Sequence, residues 1–202
     1  MVEHKEAKVI AAATQVFMRY GYRRATMGDI AEAAGISRPA LYLVFSSKEE
    51  ILTAVLARVF TAALEEIRHG LEGLATAEEK LTYAFDVWCV RPFEMILASP
   101  DAKDLLQSSY EFAHEVTSMA AANFEALLAE AIQPLIAKNV PMIGEKAPNG
   151  FSAMRIAHIL ATAVPGFKES AKTAVEFREL IAGLIAIVIA SLYVRRERPA
   201  QT

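Results

Sequence analysis

Three features of the sequence predict an all-α fold. Apolar residues recur at helical spacing along most of the chain, no run alternates as a half-buried strand would, and Ser or Thr stands just before several apolar runs, where helix caps belong. Alanine and leucine supply much of the 54% apolar content, and both favour helix. Residues 1–50 are expected to form an N-terminal three-helix head, and residues 51–202 a helical body.

Each element has its own signal. Val9, Ala13, Val16, Phe17 and Tyr20 share one face of a first helix, which Gly21 ends. Thr26 is the N-cap of a second, with Asp29 placed to complete a capping box. That helix buries Ile30, Ala31 and Ala34 and stops at Gly35, suited to a left-handed position. Ser37 caps a third short helix, which tolerates Pro39 in its first turn. Ser47 and Glu50 predict a second capping box, opening a long helix from Lys48 to about His69. Gly70 and Gly73 mark a break. The body is expected to hold a helix over 77–90, a short one opened by Pro92, and a turn at Pro100-Asp101. Next come a long helix over 104–139, kinked at Pro134, and a Pro/Gly-rich loop over 140–150. Ser152 opens a helix to about Ala163, broken at Pro165-Gly166, and a last helix runs over 171–196.

Charge and cysteine usage narrow the setting. The 202 residues carry a net charge of -3. Residues 1–52 hold seven basic and six acidic side chains, so the head is slightly basic and the body acidic. Cys89 is the single cysteine, which excludes an intramolecular disulfide and fits a reducing cytoplasm. The opening MVEHKEAK has no signal-peptide core. The uncharged stretch Leu180–Val194 is shorter than the roughly 20 residues of a spanning helix, so it is expected at a protein interface, and no membrane partner is expected. There is no P-loop, dinucleotide turn or HExxH motif, and no cofactor or metal is expected.

The segment Thr26–Leu52 carries the functional signal. A capped helix, a glycine turn and a second capped helix are what a helix-turn-helix requires. In that motif the second helix presents side chains to base edges in the major groove of double-stranded DNA. Arg38, at its start, suits guanine O6 and N7. Tyr42, one turn on, suits a phosphate or a thymine methyl. Thr26 and Ser37 are caps that double as phosphate donors. Lys48 stands at a helix N-terminus, where anions gather. Arg23 and Arg24 add electrostatic grip on the backbone.

This stretch also resembles the DNA-binding signature of the TetR/AcrR family of bacterial regulators. The matching residues are Thr26, Ile30-Ala31, Ala34-Gly35-Ile36-Ser37, Leu41-Tyr42, Phe45, Lys48 and Leu52, with Phe17 and Gly21-Tyr22 before them. Val44 departs from the pattern, standing where the family usually has His or Tyr, which removes one backbone contact. The resemblance implies a homodimeric regulator, a repressor, whose body holds a small-molecule effector and whose paired heads engage a palindromic operator.

In the body, Phe85, Trp88, Cys89, Arg91, Tyr110, His114, Phe124, Met154 and His158 mix aromatics with sparse polar groups, as a mostly apolar effector pocket would. Ile156, Leu160, Leu180, Leu184, Ile187, Val188 and Leu192 are expected at the dimer interface, because the last helix is apolar around most of its circumference. Two other readings compete. One is a regulator controlled by a partner protein rather than a small ligand. The other is a helical metal-carboxylate enzyme, suggested by the Glu-x-x-His pairs Glu66/His69 and Glu111/His114.

Overall fold

A computed structural model describes residues 2–138 and 152–193, less the side chains of a few positions among them. Every regular element described is helical. The order is α1 (Val2–Tyr20), α2 (Met27–Ala33), α3 (Arg38–Tyr42), α4 (Lys48–Glu72) and α5 (Ala77–Phe85). A π-helical turn (Asp86–Val90) leads into α6 (Arg91–Ala98), and a 3-10 turn (Pro100–Lys103) into α7 (Asp104–Phe112). Then come α8 (His114–Lys138), α9 (Ala153–Ser170) and α10 (Ala174–Tyr193). No helix among the described residues is long and apolar enough to cross a membrane. The expected loop over 140–150 and the end of the last helix lie outside the described residues.

The chain divides into two compact units, residues 1–63 with 92–121, and residues 64–91 with 122–202. The first is built round the head. Val9, Ala13, Val16 and Phe17 of α1, Ile30 and Ala31 of α2, Leu41 of α3 and Ile51, Leu52 and Val55 of α4 form one buried cluster. Leu105 of α7 packs against it, so the head's core draws on a segment far along the chain. The second unit buries Phe85, Phe124, Leu128, Ile132, Leu160, Phe177, Ile181 and Ile185.

Several boundaries differ from the sequence reading, each for a packing reason. α4 runs through Gly70 and ends at Glu72, just before Gly73; at Gly70 a side chain would strike the Tyr83 ring, so that glycine serves close approach. The helix expected over 77–90 changes to a π turn at Asp86, where one extra residue is taken up within the turn. The helix expected over 104–139 is interrupted at the buried Ala113. α9 runs through Pro165-Gly166: buried Leu160 and Val164 and half-buried Phe167 keep its apolar face continuous, and that burial outweighs one missing backbone bond. At Ser47–Glu50 the cap holds, but the Glu50 carboxylate takes the amide and hydroxyl of Ser46 and not the amide of Ser47.

Gly21 is the tightest point of the first unit. Its φ is +76°, and a Cβ would collide with the carbonyl oxygen of Asp101 and lie 2.8 Å from Asp104 Oδ1. Gly21→Ala should therefore lower the unfolding free energy by about 2 kcal/mol or more, combining a left-handed backbone with a backbone clash. Chemical denaturation checks this, and an unchanged midpoint would contradict it.

Candidate nucleic-acid interface

The head presents α3 by burying one side of it. Ser37 Oγ accepts from the Ala40 amide at 3.3 Å and starts the helix, with Pro39 in the first turn. Leu41 is fully buried and pins the helix to the core. Gly35, at φ +61°, supplies the reversal that delivers it. Arg38 is exposed, and Tyr42 keeps 49% of its surface in solvent. Arg38 Nε and Thr26 Oγ1 both lie close to Gly28, so the start of α3 and the cap of α2 meet at one surface. Val44 packs against the head's core, so the position that departs from the family pattern is structural here.

Thr26 forms a full capping box. Its hydroxyl accepts from the Asp29 amide at 3.2 Å and donates to Asp29 Oδ2 at 2.7 Å, while its amide donates to the same oxygen at 2.8 Å. These bonds, the hydroxyl's first, hold the Asp29 carboxyl below the usual carboxylate range. The Thr26 proton is thus used within the cap, and its expected donation to phosphate competes with that bond.

The other expected cations are engaged within the first unit. The Lys48 ammonium donates to the carbonyls of Tyr22 and Ala25, each at 2.8 Å, and lies 4.3 Å from the centre of the Tyr22 ring. Expected to greet phosphate from a helix start, it instead ties the turn before α2, because two buried-side carbonyls of that turn need donors. Arg24 pairs with Asp101 and donates to the Tyr20 carbonyl at 3.1 Å. The amides of Tyr22 and Arg23 donate to the two Asp104 oxygens at 2.9 and 2.7 Å. Tyr22 is buried, 5.6 Å from the Phe17 ring and 5.5 Å from the Phe112 ring. Its hydroxyl donates to Glu49 Oε1 at 3.0 Å. Burial first, and the Glu49 carboxylate second, push the phenol pKa well up.

The expected effector residues do not converge on one cavity. Phe85, Cys89 and Phe124 are buried, and Trp88 stacks on Phe124 with ring centres 4.6 Å apart. Phe85 meets Phe124 edge-on at 5.3 Å, which makes a solid aromatic cluster. Burial raises the Cys89 thiol to about 11, so it stays protonated at neutral pH. Arg91 is exposed and bound to Glu66 at 2.5 Å and Asp86 at 2.9 Å. His114 and Met154 are exposed, and so is His158, whose Nδ1 meets Glu125 at 3.0 Å on the surface and not in a core. The Tyr110 side chain lies outside the described residues. The second unit does carry two open grooves. One, of about 740 Å³, runs from Phe167 and Ser170 along Leu180, Gly183, Leu184 and Ile187. The other, of about 610 Å³, lies among Leu74, Tyr83, Val90, Arg178 and Ile181.

The expected dimer residues split. Ile156, Leu160 and Leu192 are buried within the chain and are core, since α10 turns the stripe Phe177, Ile181, Ile185, Ile189 and Leu192 inward. Leu180 and Ile187 stand 40% and 69% exposed, with Leu184 and Val188 half-buried beside them. The metal-enzyme pairs do not assemble. Phe112 ends α7 and His114 begins α8, so Glu111 and His114 do not share a helix face, and Glu66 is bound to Arg91. Among the described residues no group of three or more His, Cys, Asp or Glu is placed to hold a metal ion.

Residues 9–55 match the family model described as bacterial regulatory proteins, tetR family. The HTH-type transcriptional activator FasR of Mycolicibacterium smegmatis is 34% identical over 86 residues, covering 43% of this chain and 39% of that protein. The HTH-type transcriptional regulator HbdR of an Aromatoleum species is 34% identical over 89 residues, or 44% and 39% of the two chains. The match thus spans well under half the length of these curated relatives. In fold, the chain resembles FadR of Thermus thermophilus, a TetR family transcriptional repressor solved in complex with lauroyl-CoA. That likeness has a TM-score of 0.56 and 22% identity, and it covers 98% of this chain and 99% of that one.

Lys48→Met should lower the melting temperature by several degrees, since it leaves two carbonyls of the turn without their donor. Arg38→Ala, on the surface, should leave it within about one degree. Thermal denaturation followed by circular dichroism checks both, and equal melting of Lys48→Met and wild type would return Lys48 to the set of available cations. The head, residues 9–55, thus matches the tetR family of bacterial regulatory proteins in sequence, and the whole chain resembles TetR family regulators in fold.

Proposed function

We propose that the protein is a DNA-binding transcriptional regulator, not an enzyme, acting in the cytoplasm as a homodimeric repressor. One observation carries this reading: Arg38 and Tyr42 stand exposed on a short helix held to the head by the buried Leu41. A guanidinium and a phenol on this surface suit a guanine edge and a phosphate. Ser37 stands at the start of the same helix, and Arg23 and Arg24 contribute field more than contacts.

The stripe of exposed Leu180 and Ile187 with half-buried Leu184 is proposed as the part of the dimer interface that each chain contributes from α10. An apolar surface of this kind is costly to leave in water. A two-fold dimer would set its heads on half-sites about 34–36 Å apart, or a multiple of that. A small, mostly apolar effector acting through the second unit would release the operator by disfavouring simultaneous engagement of both half-sites. The Thermus repressor's lauroyl-CoA supports an effector with an acyl chain, and the groove at Tyr83, Arg178 and Ile181 has apolar walls beside polar groups. A second reading, control by a partner protein, is favoured by the solid packing of Phe85, Trp88 and Phe124 in place of the expected pocket.

Binding of purified protein to duplexes from around its own coding region tests the head. Arg38→Ala should cost about 1–3 kcal/mol and relax sequence preference, and Tyr42→Phe should weaken binding across sequences. Lys48→Met should leave the slope of affinity against salt unchanged, because that slope counts neutralised phosphates. Arg38→Ala binding like wild type would refute the assignment. For the dimer, Ile187→Glu should shift the protein to half its mass in light scattering, and an unchanged mass would exclude this face.

A further inference from the structure

The outward face of α3 carries more than Arg38 and Tyr42. Successive helical residues advance about 100°, and Leu43, the C-cap of α3, keeps a helical backbone at φ -75°, ψ -16°. Measured from the buried Leu41, Arg38 therefore stands about 60° round the helix and Tyr42 about 100°. Pro39 and Leu43 stand about 160° away on either side of the point opposite Leu41. All four are exposed, and Leu43 most, at 89%. The side of α3 opposite Leu41 is thus apolar, formed by two side chains one turn apart, with the polar pair along one flank.

Resting on the proposed DNA-binding function, we infer that Leu43, with Pro39 beside it, reads the C5-methyl group of a thymine in the major groove. The groove floor offers hydrogen-bonding edges and one apolar feature, the thymine methyl. A helix that enters the groove with Leu41 behind it brings Leu43 and Pro39 in first. Neither side chain has a donor or acceptor to offer a base edge, so the methyl is the complementary partner. Arg38 and Leu43 then read different base pairs, one by hydrogen bonds and one by contact. The half-site so described contains a guanine and a thymine.

The test uses the full-length chain and a random-sequence duplex library. Wild type should enrich a palindrome with a thymine at one fixed position of each half-site. Replacing that thymine by uracil removes only the methyl, and should weaken wild-type binding about fourfold per half-site, the worth of one buried methyl group. Leu43→Ala, with melting unchanged because the residue is exposed, should bind thymine and uracil duplexes alike and lose selection at that position. A palindrome without a fixed thymine, wild-type indifference to uracil, or a Leu43→Ala protein that still discriminates would overturn the inference while leaving the regulator reading intact. Enrichment of no sequence by wild type would overturn both.

Discussion

The turn between α1 and α2 has more backbone polar groups than it can satisfy internally, and two charged side chains from elsewhere in the chain supply what is missing. Asp104 takes the amides of Tyr22 and Arg23, and Lys48 takes the carbonyls of Tyr22 and Ala25. Unpaired, each of these groups would carry a desolvation cost comparable to a lost hydrogen bond. With both in place, the Tyr22 ring is fixed among Phe17, Phe112 and the Lys48 ammonium. Thr26 comes directly after, and its capping box starts α2, which sets Gly35 and through it the aim of α3. The orientation of the exposed Arg38 depends in this way on a carboxylate more than sixty residues away.

Local chemistry makes the head legible in the sequence. The caps at Thr26, Ser37 and Ser47 and the reversal at Gly35 are decided by neighbours within four residues, and the structure repeats them. Legibility ends where the partner is distant. Lys48 looks like a cation at a helix start, and nothing nearby in the chain shows that it faces the carbonyls of residues 22 and 25. Arg24 reads as a phosphate ligand until Asp101 is seen beside it. Leu43 draws no notice in the sequence because an apolar residue after Tyr42 is ordinarily assigned inward; only the burial of Leu41 and Val44 shows that it points out.

The body is less legible for a different reason. α10 is apolar on nearly every side, so periodicity cannot separate the face turned to its own chain from the face left outside. The structure makes the choice: Ile181, Ile185, Ile189 and Leu192 go inward, and Leu180 and Ile187 outward. Similarly, aromatic residues spaced along α5, the π turn and α8 read equally well as a pocket wall or as a core. Stacking of Trp88 on Phe124 makes them core. The π turn itself carries no sequence signal, since Asp86–Val90 continues the apolar spacing of α5.

The grip of Asp104 on the turn before α2 also bears on how far the head can be treated as a detachable module. Grafting residues 1–63 onto another body would carry the helix-turn-helix intact in sequence, yet would strip two backbone amides of their acceptor and Arg24 of its counter-ion. A chimera that keeps the fold of the head therefore has to import residues 100–112 as well, or find a carboxylate at the same place in the new host. In this chain the head is a unit of recognition, while the unit of inheritance is larger and discontinuous.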